Sequence, residues 1–268
     1  MTGETVPKTV ATAQITGSRD YQEDSLAVQA LAAAGCADEL LLVLADGMGG
    51  HAGGEVASSQ VVEDFSTAYI NNPDRKSSGN IPEALRSSLN IANEALANTV
   101  ADRPRLRGMG TTLIGCVIRE DQLYWISVGD SPLWVCRDGI LQRLNADHSM
   151  VPLLDEMVRT GVMDREEALI DGRRNMLRSA VAGKTLELVD VCAQPWRLQA
   201  DDIVILASDG VETLAEDELL AVLNDPGDRS LQVLAGDLMA SIEATGHSGQ
   251  DNASVILYRP GSRYAQAS

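Results

Sequence analysis

The stretch that decides the fold is Leu40-Leu41-Leu42-Val43-Leu44-Ala45, followed directly by Asp46-Gly47-Met48-Gly49-Gly50-His51-Ala52-Gly53-Gly54-Glu55. An apolar run that ends abruptly in Asp-Gly predicts a buried strand with a carboxylate at its C-terminal end. The glycines permit close backbone approach or positive φ. A carboxylate beside unhindered carbonyls suits a hard cation, although this stretch alone could also be an ordinary strand-to-loop turn.

Acids lie at the ends of three more apolar runs: Asp209 after residues 203–207, Asp130 after residues 123–128, and Asp251 before residues 253–258. If the last strand runs antiparallel to those that lead into Asp46 and Asp209, the carboxylates collect at one rim of the sheet. Unpaired carboxylates at such short distances would repel strongly. The arrangement therefore predicts bound cations.

Composition places the chain among ordinary globular proteins. Its 268 residues suit one large domain or two small ones, and 44% apolar residues suffice for a core. No linker or repeat is visible, so one domain is expected over residues 9–260, with flexible polar termini at 1–8 and 261–268. The net charge of −18 argues against nucleic acid and anionic membranes as partners.

Cysteine usage and hydropathy indicate the compartment. The four cysteines (Cys36, Cys116, Cys136 and Cys192) form no Cys-x-x-Cys motif, which leaves zinc and redox motifs unsupported and suits a reducing compartment. Residues 1–12 lack the apolar core of a signal peptide, and no run is long enough to span a bilayer. We therefore expect a soluble, cytoplasmic protein without membrane insertion.

The periodicity of the chain predicts both helices and strands. Helical spacing is found at residues 55–70, 82–100 (with Asn80 as candidate cap), 216–223 and 231–244. Strand patterns occur at residues 10–16, 26–31, 111–118, 123–128, 132–137, 140–141, 186–191, 203–207 and 253–258. The short spacing of turn signals favours antiparallel pairing. The charged, helix-patterned region at about 148–183 interrupts the strands and predicts a flap over one end of the sheet.

Further motifs complete an ordered set along the chain: Arg19 with Glu23-Asp24, Gly110-Thr111-Thr112, Gly129-Asp130-Ser131, Asp147-His148-Ser149, Asn175 with Leu177, Ser208-Asp209-Gly210, and Asp251-Asn252. With the glycine-rich stretch, this set resembles the bacterial type 2C metal-dependent protein Ser/Thr phosphatases over residues 9–258. Each motif alone is common, and Arg19 with its acids could be a surface salt bridge. The resemblance implies an α+β fold, in which two stacked antiparallel β-sheets are flanked by helices in a four-layer α-β-β-α sandwich with a small flap subdomain.

The resemblance also implies a metal centre. Asp46 would bridge two Mn²⁺ or Mg²⁺ ions. One ion would also take the carbonyl of Gly47 and, partly through water, Glu23. The other would be held by Asp209 and Asp251.

Two more roles follow from the same resemblance. Asp130 resembles the residue that, with Asp209, holds a third, weaker ion in bacterial members. Arg19 would bind the phosphate oxygens with its bidentate fork, and Asp24 would support the ligands from behind. Two divalent ions neutralise a phosphate monoester and activate the water that they share, so no covalent intermediate is needed.

The proton donor for the leaving oxygen is left open by the sequence. Many eukaryotic members carry His where this chain has Met48. His51 is a candidate substitute, and a metal-bound water is its competitor. His148 is expected to fix the start of the flap. Pro132 stands where Arg is common in the family, which removes a positive charge and a backbone donor near the third ion. Gln22 replaces the usual Asn while keeping the amide.

The implied function is hydrolysis of phosphoserine and phosphothreonine in proteins, in opposition to a cognate Ser/Thr kinase, by a monomeric enzyme. One alternative is a catalytically weak relative that binds phosphoproteins as a regulator. Another is a hydrolase of small phosphate esters or nucleotides, which the long flap weakly disfavours.

Overall fold

The structure is a computed structural model that describes residues 9–31, 39–49, 53–224 and 229–261. Some predictions lie outside these residues. They concern Cys36, His51 and the expected flexible ends at residues 1–8 and 262–268.

The strands of the described chain are β1 Val10–Ile15, β2 Asp24–Leu31, β3 Glu39–Met48, β4 Gly110–Thr111, β5 Leu113–Arg119, β6 Gln122–Val128, β7 Leu133–Arg137, β8 Ile140–Arg143, β9 Asp190–Val191, β10 Trp196–Arg197, β11 Ile203–Ala207 and β12 Ala253–Tyr258. The α-helices are α1 Gly53–Asn71, α2 Ile81–Asp102, α3 Val151–Arg159, α4 Arg165–Ile170, α5 Glu216–Leu223 and α6 Leu231–Ala244. Short 3-10 turns occur at Pro73–Lys76, Ser78–Asn80, Pro104–Leu106 and Asp209–Thr213.

The strands form two antiparallel sheets. Within the described ranges, sheet I has the order β1-β12-β11-β7-β8, and sheet II has the order β10-β6-β5-β3-β2, with β4 beside β3 and β9 beside β6. Strand β12 runs antiparallel to β11, which is the orientation that the sequence argument required. The acids that follow β11 and precede β12 therefore lie at the same edge of sheet I.

Three apolar clusters separate four layers. Helices α1 and α2 pack on the outer face of sheet II, helices α5 and α6 pack on the outer face of sheet I, and a third cluster lies between the sheets. Contact between α1 and sheet II is close, because a Cβ placed on Gly115 would lie 2.5 Å from the ring of Phe65. The predicted α-β-β-α sandwich is confirmed.

One buried ion cluster lies far from the acidic edge, at the start of β3. Glu39 accepts hydrogen bonds from the guanidinium groups of Arg75 and Arg119. Arg119 also donates to the carbonyl of Arg75 and the hydroxyl of Ser78. Each charge of this cluster therefore has a partner of opposite sign.

Two local predictions differ from the structure. The strand expected at 186–191 is reduced to Asp190–Val191, because the hydroxyl of Ser179 binds the backbone of Leu188 on both its N–H and its carbonyl side. Asn80 precedes α2 as expected, but its side chain makes no capping hydrogen bond. The paired strand β10 was not predicted, since two residues carry no periodicity.

Among the described helices, none combines the length and the apolar character that crossing a bilayer requires.

Candidate active site

Asp46 lies near the end of β3, and its backbone is held from two sides. Its N–H donates to Thr112 Oγ1 at 2.9 Å, and its carbonyl accepts from Thr111 Oγ1 at 2.8 Å. Thr112 Oγ1 also forms a 2.7 Å hydrogen bond with Ser131 Oγ. The Gly110-Thr111-Thr112 motif therefore fixes the position of the Asp46 carboxylate.

Asp209 and Asp251 come from neighbouring strands of sheet I. Asp209 lies two residues beyond β11, and Asp251 lies two residues before β12. The N–H of Ser208 donates to the carbonyl of Ser254 at 3.1 Å, which continues the pairing of the two strands up to the acids. The two carboxylates consequently open at the same edge.

Asp24 connects the two sheets behind these acids. Its Oδ2 accepts hydrogen bonds from Ser208 Oγ at 2.8 Å and from Ser254 Oγ at 2.6 Å. Its Oδ1 is buried and has no hydrogen-bond partner in the described structure. Since Asp24 begins β2 of sheet II, these bonds tie the edge of sheet II to the strands that carry Asp209 and Asp251.

A close approach of three backbone segments brings Glu23 beside Gly47. The N–H of Gly47 donates to the carbonyl of Glu23 at 3.1 Å. A Cβ on Gly54 would lie 2.5 Å from Glu23 Oε1 and 2.8 Å from the Gly47 carbonyl oxygen. Both oxygens therefore occupy space beside residue 54 that only glycine leaves free.

Arg19 lies at the mouth of the site. Its guanidinium donates to Asp251 Oδ2 at 2.5 Å, and 54% of the side chain is exposed. Asn252 holds the loop that carries Arg19: its amide donates to the carbonyls of Thr16 and Tyr21, and its Oδ1 accepts from the N–H of Glu23.

Asp130 follows β6 in a turn that begins at Gly129, where φ is +104°. Burial, followed by the charge of Asp209, raises the pKa of the Asp130 carboxyl to about 7. The Asp130 carboxyl therefore responds to the charge of Asp209, which follows β11 of sheet I.

These residues share one cleft of about 480 Å³. Its lining comprises Arg19, Glu23, Asp46, Gly47, Met48, Gly49, Thr112, Asp130, Asn175, Met176, Leu177, Ala180, Asp209 and Asp251. Seven of the eight predicted site residues line it, and the eighth, His51, lies outside the described residues. Four residues of the lining belong to the region predicted as a flap, residues 148–183: Asn175, Met176, Leu177 and Ala180.

Burial and mutual repulsion raise the pKa values of the acids of the cleft. Loss of hydration, and then the charges of Asp24 and Asp209, raise the pKa of Asp46 well above its usual range. Loss of hydration, and then the charge of Asp251, raise the pKa of Asp209, although a hydrogen bond with the Asp46 carboxyl offsets part of that effect. Burial raises the pKa of Asp24 to about 6. Added positive charge would therefore favour the ionised forms.

The donor set suits hard divalent cations. Carboxylates and one carbonyl oxygen are the ligands that Mn²⁺ and Mg²⁺ prefer. Among the described residues, however, no three acidic, His or Cys side chains already converge as a metal site. The acids line the cleft, and Asp251 is paired with Arg19.

Several supporting residues were not assigned a role from the sequence. Thr112 and Asn252 belong to recognised motifs, and their position next to acids was an available signal. Arg143, whose guanidinium donates to the carbonyl of Asp130 at 2.5 Å, lies in no motif. A side chain that binds a distant backbone group leaves no local pattern in the sequence.

Comparisons with known proteins agree with this geometry. A family model described as protein phosphatase 2C matches residues 16–243. The serine/threonine phosphatase stp of Listeria monocytogenes is 31% identical over 218 residues, which cover 81% of this chain and 83% of the relative.

Two solved structures are also similar. The serine/threonine phosphatase PstP/Ppp of Mycobacterium tuberculosis superposes with a TM-score of 0.74 at 29% identity, covering 93% of this chain and 97% of that chain. The catalytic domain of PstP in complex with two manganese ions has a TM-score of 0.70 at 29% identity, covering 93% and 96%.

The sandwich fold and its acidic cleft define the class, a metal-dependent phosphatase. The chain belongs to the protein phosphatase 2C family. Its dependence on divalent metal follows from that membership.

Proposed function

We propose that this protein removes phosphate from serine and threonine side chains of other proteins in the cleft between Arg19, Asp46, Asp209 and Asp251. The protein is a metal-dependent protein serine/threonine phosphatase. The observation that carries the assignment to this cleft is that an arginine and the predicted acids line the same space of about 480 Å³. Elsewhere in the described chain, no comparable group of motif residues converges.

The ligand assignment follows the positions of the oxygens. Asp46 lines the cleft together with Asp209, Asp130 and Asp251, and the charges of these acids and of Asp24 all raise its pKa. We assign it to both of two divalent ions, Mn²⁺ or Mg²⁺. Glu23 Oε1 and the Gly47 carbonyl oxygen both lie beside Gly54, which supports one ion on that side.

The second ion is assigned to Asp209 and Asp251, which open at the same edge of sheet I. A third, weaker ion is assigned to Asp130 with Asp209. The charge of Asp209 is the second cause of the raised pKa of Asp130, which supports their proximity.

When bound, the divalent ions neutralise the phosphate and lower the pKa of the attacking water. The chain itself supplies orientation. Arg19 can direct two N–H groups at the phosphate oxygens, and its exposed position allows it to leave Asp251 for an incoming anion. Thr112 is the only hydroxyl side chain among the described residues of the lining, and its Oγ1 is already bound to Asp46 and Ser131. The carboxylates of the lining are assigned to the cations, so the described lining supplies no free nucleophile, and the reaction proceeds without a covalent phosphoenzyme.

The leaving serine or threonine oxygen requires a proton. Met48 lines the cleft and cannot donate one. We propose His51 for this role, because it follows Gly49, a lining residue, by two positions. A water held in the metal centre is the competing proton donor.

The biological setting is part of the proposal. Substrates are phosphorylated proteins, produced by a cognate Ser/Thr kinase, and the protein acts as a monomeric single domain over residues 9–260 with its flap at 148–183. Described cysteines Cys116, Cys136 and Cys192 are free and buried, which supports a reducing compartment, the cytoplasm. No finding supports the alternative of a weakly catalytic phosphoprotein-binding relative.

Hydrolysis of a phosphothreonine peptide, measured in EDTA and then with added Mn²⁺, tests the function. We expect turnover only with Mn²⁺, and loss of that turnover in Asp209→Asn but not in Asp201→Asn, an exposed acid outside the cleft. Equal turnover by wild type and Asp209→Asn would refute the site assignment. Absence of turnover in wild type, with Mn²⁺ binding verified by calorimetry, would instead favour the phosphoprotein-binding alternative.

A further inference from the structure

The turn at residues 129–131 is held by the segment that leads into the flap. We call residues 143–149 the flap stem. The N–H of Gly129 donates to Nδ1 of His148 at 3.2 Å, and the N–H of His148 donates to the carbonyl of Gly129 at 3.1 Å. Arg143 donates to the carbonyl of Asp130 at 2.5 Å. Asn145 donates to the carbonyl of Ser131 at 2.9 Å.

These bonds fix both peptide groups that flank the Asp130 Cα. The carbonyl of Gly129 belongs to the peptide before this atom, and the carbonyl of Asp130 belongs to the peptide after it. Because peptide groups are planar, holding both sets φ and ψ of Asp130. The direction of its Cβ, and hence of its carboxylate, is set by the flap stem.

The conformation of the turn needs such support. Gly129 has φ of +104°, and a Cβ there would lie 2.6 Å from Thr112 Cγ2. Thr112 is the residue that accepts from the N–H of Asp46. The turn is thus packed against the support of Asp46, and glycine alone permits this contact.

His148 is suited to act as the acceptor. Its side chain is buried, and burial lowers the pKa of its imidazole. The neutral ring, with its proton on Nε2, leaves Nδ1 free to accept from Gly129. Arg143 also lies 3.9 Å from Asp147 and 3.8 Å from Glu212, so it balances acids around the same turn.

The flap stem also contacts the returning leg of the flap. The N–H of Arg178 donates to the carbonyl of His148 at 2.8 Å, and Ser149 pairs with Leu177. Leu177 lines the catalytic cleft. One segment therefore supports both the flap wall of the cleft and the turn that carries Asp130.

We propose that Arg143 and His148 are positioning residues, which orient the Asp130 carboxylate to hold the weakest of the bound cations. This inference rests on the proposed function, in which Asp130 binds that cation. Neither side chain needs to touch the metal or the substrate. Their effect is on the affinity of one ion and not on the tighter pair.

Calorimetric titration of the full chain with Mn²⁺ alone tests the proposal. In Arg143→Met and His148→Leu, we expect the dissociation constant of the weakest Mn²⁺ to rise by about tenfold or more, while the tighter ions change by less than about twofold. His148→Asn, whose Oδ1 can replace the acceptor Nδ1, should restore wild-type affinity. Arg143→Lys, which keeps a donor, should restore most of it.

Matched controls are Arg159→Met and His247→Leu, which remove an exposed arginine and an exposed histidine outside the cleft. If Arg143→Met fails to fold by circular dichroism, the His148→Leu and His148→Asn pair decides, because these side chains have nearly the same size. If His148→Leu binds Mn²⁺ as the wild type does while Asp130→Asn loses the weakest ion, the positioning role is overturned and the assignment of Asp130 stands. An unchanged isotherm in Asp130→Asn would overturn the assignment of Asp130 and the positioning role with it.

Discussion

Asp24 lies directly opposite Asp46 in the antiparallel ladder between β2 and β3. Residues paired in this way project from the same face of a sheet, so two carboxyl groups are held as neighbours. The charge of Asp24 is the second cause, after loss of hydration, of the raised pKa of Asp46. The fold thus maintains a repulsion that bound cations relieve.

The first prediction concerns the pH dependence of stability without metal. The pKa of Asp24 rises from 3.8 to about 6 on folding, and that of Asp130 rises from 3.8 to about 7. Between pH 3.8 and about 7 the folded state holds protons that the unfolded state has released, so the free energy of unfolding falls as pH rises.

We expect the melting temperature in EDTA to be higher at pH 5 than at pH 7.5 by roughly 5 °C or more. Added Mn²⁺ should stabilise the protein more at pH 7.5 than at pH 5, because the acids must be ionised to bind it. Scanning calorimetry measures both effects. A metal-free protein with a higher melting temperature at pH 7.5 than at pH 5 would contradict the raised pKa values of Asp24 and Asp130.

The second prediction is that Asp46→Asn stabilises the metal-free protein while it abolishes activity. The amide removes the charge that opposes Asp24 and Asp209, and it also removes the central ligand. We expect a higher melting temperature in EDTA at pH 7.5. Turnover should fall by more than about 100-fold, because mutations of residues that only support metal ligands already cost up to about 100-fold. Asp201→Asn serves as the exposed control, and retained turnover in Asp46→Asn would rule out Asp46 as the bridging ligand.

The third prediction concerns Asn252, which is only 4% exposed. Asn252→Asp keeps the acceptor for Glu23 but loses the two N–H donors to Thr16 and Tyr21. The free energy of unfolding should fall by about 2–4 kcal/mol, since buried carbonyls lose their partners beside a new charge. Phosphopeptide kcat/KM should fall by about tenfold or more, because the loop of Arg19 loses its support.

Urea unfolding and steady-state kinetics measure the two effects of Asn252→Asp. The control is Asn71→Asp, at an exposed position at the end of α1. Should Asn252→Asp match that control in both measurements, the loop would not depend on this amide.

The fourth prediction compares two helical glycines. Gly236→Ala should stabilise the protein by about 0.5–1 kcal/mol, because alanine favours a helix and no atom lies within 4 Å of the new Cβ. Gly54→Ala should instead weaken Mn²⁺ binding, because its Cβ would lie 2.5 Å from Glu23 Oε1. Thermal unfolding and Mn²⁺ calorimetry of both variants check this contrast. Equal Mn²⁺ affinity in the two would show that Glu23 can move away without loss.

Much of the fold is predictable from local pattern. The strands at residues 203–207 and 253–258 and the helices at 216–223 and 231–244 match the predicted ranges, because apolar periodicity and flanking turns coincide there. The predicted strand at 186–191 is wrong over most of its length. Within this segment, both the N–H and the carbonyl of Leu188 hydrogen-bond to the hydroxyl of Ser179, a tertiary contact that strand propensity does not reveal.

The acids of the cleft could be predicted because each follows or precedes an apolar strand in a short motif. Arg143 could not, since its contact with the carbonyl of Asp130 depends on how β8 returns beside the turn after β6. Similarly, Asp24 and the serines of sheet I are distant in sequence and meet only through sheet stacking. Their roles follow from tertiary structure.

Strand β3 carries a buried acid at its start and another acid near its end, and the fold treats them differently. Glu39 is neutralised by two arginines, whereas Asp46 faces other carboxylates. Without metal, the two ends of one strand therefore differ in local stability, and backbone amide exchange should be slow around Leu40 and faster around Ala45. Cation binding would then slow amide exchange at the Asp46 end of this strand. Amide exchange along β3 can therefore report whether cations are bound in the cleft, even when no substrate is present.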